Sequence, residues 1–86
     1  MRLDKFLKVT RLIKRRTVAN DMCHAGHVVV NGRPAKPGLQ LSPGDIVTVD
    51  LGPKRLRVEV LAGAAGKGSS RAEELFRTLG ETAISG

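Results

Sequence analysis

The chain has 86 residues, which is enough for one small domain and excludes a second independent hydrophobic core. Its formal net charge is +7, and residues 1–36 carry nine basic against two acidic residues, whereas residues 37–86 carry six of each. Because the whole excess lies in the first 36 residues, the charge predicts a protein that binds a polyanion, with nucleic acid favoured over an anionic membrane surface, and an enzyme for acidic substrates is the weaker interpretation.

The aromatic and cysteine content excludes several further classes. Phe6 and Phe76 are the only aromatic residues, so platforms that stack several single-stranded bases cannot be built. Cys23 is the only cysteine, which excludes an internal disulfide and favours a reducing compartment. No apolar run has the length of a secretory signal or a membrane span, so we expect a cytoplasmic protein.

Two helices are predicted at the start of the chain. Leu3, Phe6 and Leu7 recur at the spacing of one helix face, and basic residues cover the opposite face. A second helical pattern runs through residues 18–23 and ends at Gly26, where a helix favours a residue in the left-handed region.

Strands are predicted next. The β-branched run at residues 28–30 is followed by Asn31 and Gly32, a strong signal for a tight hairpin turn. After a winding segment rich in proline and glycine, alternating residues predict two more strands, over residues 45–50 and 55–60. The predicted fold class is therefore α+β, with two N-terminal helices packed on a small antiparallel sheet.

The composition changes at Ala62, where a Gly-, Ala- and Ser-rich stretch typical of a flexible linker begins. We therefore predict a folded domain over residues 1–61 and a flexible linker and tail over residues 62–86. Residues 71–79 have the spacing of a short helix, which is marginal on its own in water. Deletion of residues 63–86 is accordingly expected to leave the fold intact.

A run of basic residues dominates the first sixteen positions, with one acid among them. The basic residues are Arg2, Lys5, Lys8, Arg11, Lys14, Arg15 and Arg16, and the acid is Asp4. A solvated helix face is the plain alternative to a polyanion site. Two observations favour the site: compensating acids are nearly absent, and the last three cations abut the start of the second helix, where they oppose the helix dipole and a phosphate would supply the missing negative charge.

Asp4 and Arg16 have particular expectations. Asp4 has two interpretations of equal weight: a first-turn charge that complements the helix dipole, or a carboxylate that orients a neighbouring arginine for RNA. Because Arg16 lies among like charges at a helix N-terminus, we expect Arg16→Ala to leave stability unchanged or to raise it slightly.

The sequence contains no recognisable motif for catalysis, metal binding or nucleotide binding. His24 and His27 are too few for a structural zinc site, which takes about four ligands. Cys23 has no base beside it in the sequence and is expected in the core. Lys67 follows Gly66 but lacks the flanking residues of a phosphate-binding loop. We therefore predict a binding function and no enzymatic activity, metal or cofactor.

Four linked motifs resemble the RNA-binding domain named after small-subunit ribosomal protein four. They are Arg2-Leu3-Asp4-Lys5-Phe6-Leu7, Arg15-Arg16-Thr17-Val18-Ala19, Gly26-His27-Val28-Val29-Val30-Asn31-Gly32 and Pro43-Gly44-Asp45-Ile46-Val47. The resemblance covers residues 2 to about 61. It implies an αL-shaped two-helix motif on a small sheet, whose basic helix face binds structured ribosomal or transfer RNA.

Within that family, residues 2–17 are similar to the short stand-alone bacterial factors of ribosome-associated quality control, which are related to heat-shock protein fifteen but lack its long basic C-terminal helix. This resemblance implies a ribosome-associated factor that binds large subunits obstructed by peptidyl-tRNA and contacts rRNA and P-site tRNA. It would support C-terminal alanine tailing of stalled chains by a partner quality control protein. We expect a monomer, and neither a membrane nor DNA as a partner.

Carried over position by position, the resemblance implies RNA contacts by Arg2, Asp4 and Arg16. Further basic residues are expected to support them, namely Lys5, Lys8, Arg11, Lys14 and Arg15. Arg15 is a departure, because many family members have a serine that caps the second helix at this position.

Three alternatives stay open. One is a role like that of heat-shock protein fifteen, which recycles free large subunits carrying nascent chains. Another is the detached RNA-binding module of an RNA-modifying enzyme such as a pseudouridine synthase, although no residues remain here for its catalytic domain. The last is a helix-turn-helix DNA binder, for which the second helix offers only Asn20 as a base-reading side chain.

Overall fold

The computed structural model describes residues 1–64 and 72–83 of the chain. Its helices and strands are, in chain order, α1 (Leu3–Val9), α2 (Arg16–His24), β1 (Val28–Val30), β2 (Arg33–Pro34), β3 (Ile46–Asp50), β4 (Lys54–Val60), a short 3₁₀ helix (Ala62–Ala64), α3 (Ala72–Leu75) and β5 (Phe76–Ala83). The strands form one antiparallel sheet in the order β2-β1-β3-β4-β5. The predicted α+β class, with its two N-terminal helices and small antiparallel sheet, is confirmed.

The predicted buried face of the first helix and the predicted end of the second are also confirmed, whereas Val18, predicted on the apolar face of the second helix, is 42% exposed. Leu3, Phe6 and Leu7 of α1 are fully buried, and the second helix ends just before Gly26, whose φ is +82°. Arg15 occupies the N-cap position of α2 without a side-chain capping hydrogen bond, because arginine has no side-chain acceptor to offer the free N–H groups of the first turn.

The hairpin between β1 and β2 turns at the predicted pair of residues. Asn31 and Gly32 have φ values of +53° and +82°, the positive values that a tight two-residue hairpin turn requires. The Asn31 side chain ties the turn to β3, because its Oδ1 accepts the Ile46 backbone N–H at 2.9 Å and its Nδ2 donates to Asp45. The turn thereby fixes the start of β3 as well as the register of β1.

Residues 72–83 differ from the flexible tail predicted for this part of the chain. They form a one-turn helix and then strand β5, which pairs with β4 along its length. Leu75 is fully buried, and the Phe76 ring packs edge-on against Phe6 at a centroid distance of 6.4 Å. The pairing is long-range and is interrupted by a bulge at Arg57 and Val58, so local alternation does not reveal it. The predicted linker residues 65–71 lie outside the described residues.

Candidate RNA-binding site

A buried carboxylate lies at the centre of the basic N-terminal surface. Asp4, in the first turn of α1, is only 2% exposed and accepts hydrogen bonds from four residues. The Lys5 backbone N–H donates to Oδ1 at 2.7 Å, and Asn20 Nδ2 donates to Oδ2 at 3.3 Å. Arg2 and Arg16 supply the remaining donors. Because a buried charge needs charged and hydrogen-bonding partners, Asp4 determines where both arginines lie.

Both arginines keep part of their guanidinium surface in solvent. Arg16 binds Asp4 through two donors, Nε to Oδ2 at 3.2 Å and Nη2 to Oδ1 at 3.3 Å, and Arg2 Nη2 lies 3.3 Å from Oδ2. The Arg2 and Arg16 side chains are 49% and 46% exposed, so donors not used by Asp4 remain free for a ligand. Two cations held on one carboxylate form a site with the charge and geometry to bind phosphate. We call these three residues the Arg-Asp-Arg cluster.

The loop between β2 and β3 binds the first turn of α1, which carries Asp4 of the Arg-Asp-Arg cluster. The backbone carbonyls of Leu39 and Pro37 accept the N–H groups of Leu3 and Asp4 at 2.8 and 3.0 Å. These bonds satisfy two of the N–H groups left free at the start of α1, whose N-cap residue offers no side-chain acceptor. The position of Asp4 therefore depends on a segment more than thirty residues away in the sequence.

The surroundings of Asp4 lower its pKa. Burial alone would raise the pKa, but the Arg16 side chain, the Lys5 N–H and Asn20 all donate hydrogen bonds to the carboxylate, and the Arg16 charge adds to their effect. The net result is a pKa below the ordinary value of an aspartate. The carboxylate is accordingly ionised at neutral pH.

This depressed pKa predicts a pH dependence of stability. A carboxyl with a lower pKa in the folded state contributes stability that is complete above its unfolded pKa, about 3.9, and is lost as pH falls through the folded value. We expect the melting temperature of the wild type to fall more steeply below about pH 4 than that of Asp4→Asn. Thermal melts from pH 7 to pH 2 test this, and identical slopes in the two proteins would contradict it.

The cluster changes two sequence-based expectations. The geometry supports the second interpretation of Asp4, a carboxylate that orients neighbouring arginines. Arg16 does not simply add repulsion at the start of α2, because it neutralises a buried charge, and Arg16→Ala is now expected to lower stability. Sequence reasoning also missed Asn20, which donates both to Asp4 and to the Arg16 carbonyl. Its signal is the i to i+4 spacing from Arg16 on one face of α2.

The other predicted site residues contribute no side chain to the cluster. Lys5, Lys8, Arg11, Lys14 and Arg15 are exposed, and none of them has an ion pair within the described part of the chain. They form a field of exposed cations, with Lys5 and Lys8 on α1 and the other three in the connection between α1 and α2. Such a field is suited to phosphate contacts that are not sequence-specific.

The cation field predicts a salt-dependent affinity. If about five phosphates are neutralised, log K for a structured RNA should fall against log salt with a slope of roughly −4. Lys8→Ala should make the slope shallower by about 1 and leave the melting temperature unchanged, because Lys8 is exposed. Arg57→Ala, an exposed cation on β4, serves as the control. A flat salt dependence of the wild type would disagree with this picture.

Arg11 has an unusual backbone conformation. Its φ is +61°, in the left-handed region that ends a helix and that glycine occupies most easily. Its N–H donates to the Lys8 carbonyl at 3.0 Å, and Thr10 closes the same turn with a side-chain bond to the Phe6 carbonyl at 2.7 Å. An arginine here costs conformational energy, of the order of 1 kcal/mol, that a glycine would avoid.

We therefore expect Arg11→Gly to raise the melting temperature by a few degrees while weakening RNA binding, because it removes both the strain and a cation. Lys8→Gly is the matched control: it also removes one cation and adds one glycine, but within α1, where glycine costs about 1 kcal/mol. Thermal melts and an RNA titration on both variants give the comparison. Destabilisation by Arg11→Gly equal to that by Lys8→Gly would show that the Arg11 conformation is not strained.

The remaining titratable candidates take no part in the Arg-Asp-Arg cluster. His24 and His27 are exposed, and within residues 1–64 and 72–83 no group of three or more His, Cys, Asp or Glu residues has metal-binding geometry. Cys23 is buried as predicted, and burial together with the Asp4 charge raises the pKa of its thiol. The same described ranges contain no helix both long and apolar enough to cross a bilayer.

Similarity to known proteins is consistent across sequence and structure. Residues 1–47 match the S4 domain. The chain is 42% identical over 81 residues to the RQC P-site tRNA stabilizing factor of Listeria innocua, covering 94% of this chain and 88% of that protein. It is 52% identical over 60 residues to the Bacillus subtilis protein of the same name, covering 70% of each. The structure of Heat Shock Protein 15 from Vibrio cholerae aligns with a TM-score of 0.75 and 30% identity, covering 91% of this chain and 80% of that one.

Proposed function

The chain belongs to the S4 domain family, and from that premise we propose that it is a ribosome-associated RNA-binding factor that stabilises tRNA in the P site during ribosome-associated quality control. One observation carries the proposal. The buried Asp4 holds Arg2 and Arg16 together on the surface that bears the excess positive charge of the chain, with donors of both arginines open to solvent. A pair of arginines held on one carboxylate, within a field of exposed cations, fits the phosphate backbone of a folded RNA.

The names of the similar proteins indicate which RNA to propose as the ligand. The Listeria and Bacillus proteins carry a name that specifies the P-site tRNA, and their similarity extends beyond the S4 domain in the Listeria case. We propose that this chain likewise binds a large subunit obstructed by peptidyl-tRNA, with the Arg-Asp-Arg cluster and the surrounding cations on rRNA and tRNA phosphates. Binding there would support alanine tailing by a partner protein. The function requires no chemical step, so we assign the chain no catalytic role.

A role like that of heat-shock protein fifteen is the second candidate, because the Vibrio cholerae structure has the same fold. Both functions use an S4 domain on the large subunit and differ in the event that follows binding. The greater identity with the Listeria protein favours the tRNA-stabilising role. A requirement of the chain for alanine tails in cells would distinguish the two.

Co-sedimentation tests the proposed function. Tagged full-length protein is mixed with purified small subunits, vacant large subunits, large subunits carrying peptidyl-tRNA, and whole ribosomes, and each mixture is separated on a sucrose gradient. We expect the protein in the large-subunit fraction, with most of it on subunits that carry peptidyl-tRNA. Equal binding to vacant and obstructed subunits would contradict the preference for peptidyl-tRNA that both candidates share, and migration with none of the particles would refute both.

A further inference from the structure

A groove of about 910 Å³ lies beside the Arg-Asp-Arg cluster and is not part of it. The turn after β1 and the loop that follows β2 form its walls. Its floor includes the apolar residues Val30, Ala35 and Leu39. Its lining also includes the basic residues Arg33 and Lys36. We call it the loop groove. Leu39 is 39% exposed, one of the few large apolar side chains in the described residues that reach solvent. An apolar floor of this kind is suited to a flat ligand with an apolar face.

The loop groove carries more positive than negative charge, with two basic side chains and one acidic side chain in its lining. Arg33 and Lys36 are exposed, and neither pairs with a carboxylate in the described part of the chain. Asp45 also lines the groove, but its two oxygens are engaged: Oδ1 accepts from Asn31 at 3.1 Å, and Oδ2 accepts the Ser42 N–H at 2.8 Å. The groove therefore offers two free cations beside an apolar floor, and it is complementary to a ligand that combines an apolar ring with an anion.

The loop groove adjoins the Arg-Asp-Arg cluster at Gly38. Gly38 lines the groove, and a Cβ atom added to it would lie 3.5 Å from Arg2 Nη2, so a single residue separates the groove from this guanidinium. The adjoining carbonyls of Pro37 and Leu39 bind the first turn of α1 and hold this wall in place. A polymer whose backbone lies on Arg2 passes the mouth of the groove.

We propose that the loop groove binds one unpaired nucleotide of the RNA that contacts the cluster, with the base on the apolar floor and its phosphate near Arg33 and Lys36. The inference rests on the proposed function. A nucleotide has the flat face and the anionic group that the groove fits, and in folded RNA such a nucleotide comes from a loop or bulge, because bases in a duplex are not accessible for insertion. The groove would thus recognise a structured RNA with an extruded base.

Site-specific photo-crosslinking on the ribosome tests this proposal. A benzophenone amino acid replaces Leu39 in one full-length protein and Leu79 in another, because Leu79 on β5 is also 39% exposed and lies outside the groove. Each is irradiated on large subunits carrying peptidyl-tRNA, and crosslinked RNA positions are mapped by primer extension. We expect the Leu39 position to react with a single unpaired nucleotide and the Leu79 position not to react there.

Affinity provides the second measurement. Leu39→Asp should weaken binding to the same subunits by about tenfold, because a carboxylate on the floor repels a phosphate and removes apolar contact, while Leu79→Asp should stay within about twofold of the wild type. A Leu39 crosslink to ribosomal protein, to paired nucleotides only, or at no more than the Leu79 level would overturn the proposal while ribosome binding stands. If the wild type fails to co-sediment with large subunits, the proposed function fails, and this inference fails with it.

Discussion

Asp4→Asn is expected to weaken binding to the large subunit by about tenfold or more, although it makes the protein more positive. The substitution removes the charge that holds both guanidinium groups, so Arg2 and Arg16 are no longer fixed in one orientation. Loss of charge-assisted hydrogen bonds at a buried site should also lower the free energy of unfolding by roughly 2 kcal/mol. Affinity from subunit pelleting and stability from urea unfolding measure the two effects.

Asp21→Asn is the matched control for this prediction. Asp21 is an exposed acid on α2 with no hydrogen bond or ion pair of its side chain in the described structure, and the change removes the same single negative charge. If affinity depends on net charge alone, both variants should bind RNA slightly more tightly than the wild type. If Asp4 positions the arginines, only Asp4→Asn loses affinity. Tighter binding by Asp4→Asn would therefore remove Asp4 from the site.

Leu75→Ala is expected to have the largest effect on stability, a loss of about 2 to 5 kcal/mol in the free energy of unfolding. Leu75 is fully buried at the end of α3, and its carbonyl accepts the Leu61 N–H at 2.9 Å, so it joins the C-terminal segment to the core. In a domain of this size such a loss is a large part of the total stability. Thermal and urea unfolding measure it.

Leu79→Ala provides the comparison, because the same substitution at a side chain 39% exposed on β5 should cost well under half as much in the free energy of unfolding.

The packing of Leu75 and β5 also reverses the sequence-based expectation that the C-terminal residues can be deleted without effect on the fold. Deletion of residues 63–86 removes Leu75, the Phe76 ring and the strand that pairs with β4, and we expect it to destabilise the fold. A truncated protein as stable as the full chain, or equal costs for the two leucine substitutions, would show that residues 72–83 do not belong to the core.

The sequence was sufficient to predict the elements whose signals are local. The spacing of Leu3, Phe6 and Leu7 predicts the buried face of α1, and Asn31 with Gly32 predicts the hairpin turn, because each signal depends on residues that are neighbours in the chain. Strand β5 was missed for the opposite reason. It is stabilised by pairing with β4 and by the Phe6 ring, both of which are distant in sequence. Its own residues lack the regular alternation that would predict a strand.

The candidate site was predictable in composition but not in geometry. The run of cations is visible in the sequence and places Arg2 and Arg16 among many equivalent candidates. What distinguishes these two is their contact with one buried carboxylate, which requires α1 and α2 to pack together. The role of the Pro37 to Leu39 loop is likewise a product of tertiary structure, since it joins the start of α1 to a segment whose own sequence predicts only a turn.

The most direct test of the central claim is the affinity of wild type, Arg16→Ala and Arg16→Lys for large subunits carrying peptidyl-tRNA, measured by pelleting at a temperature where all three are folded. Loss of a charge-assisted contact should weaken Arg16→Ala by about ten- to a hundredfold, and Arg16→Lys should recover only part of this, because an ammonium group cannot reproduce the planar two-donor geometry. Arg57→Ala, which removes an exposed arginine from β4, should bind like the wild type. Equal affinity of Arg16→Ala and the wild type would contradict the assignment of the Arg-Asp-Arg cluster as the RNA-binding site.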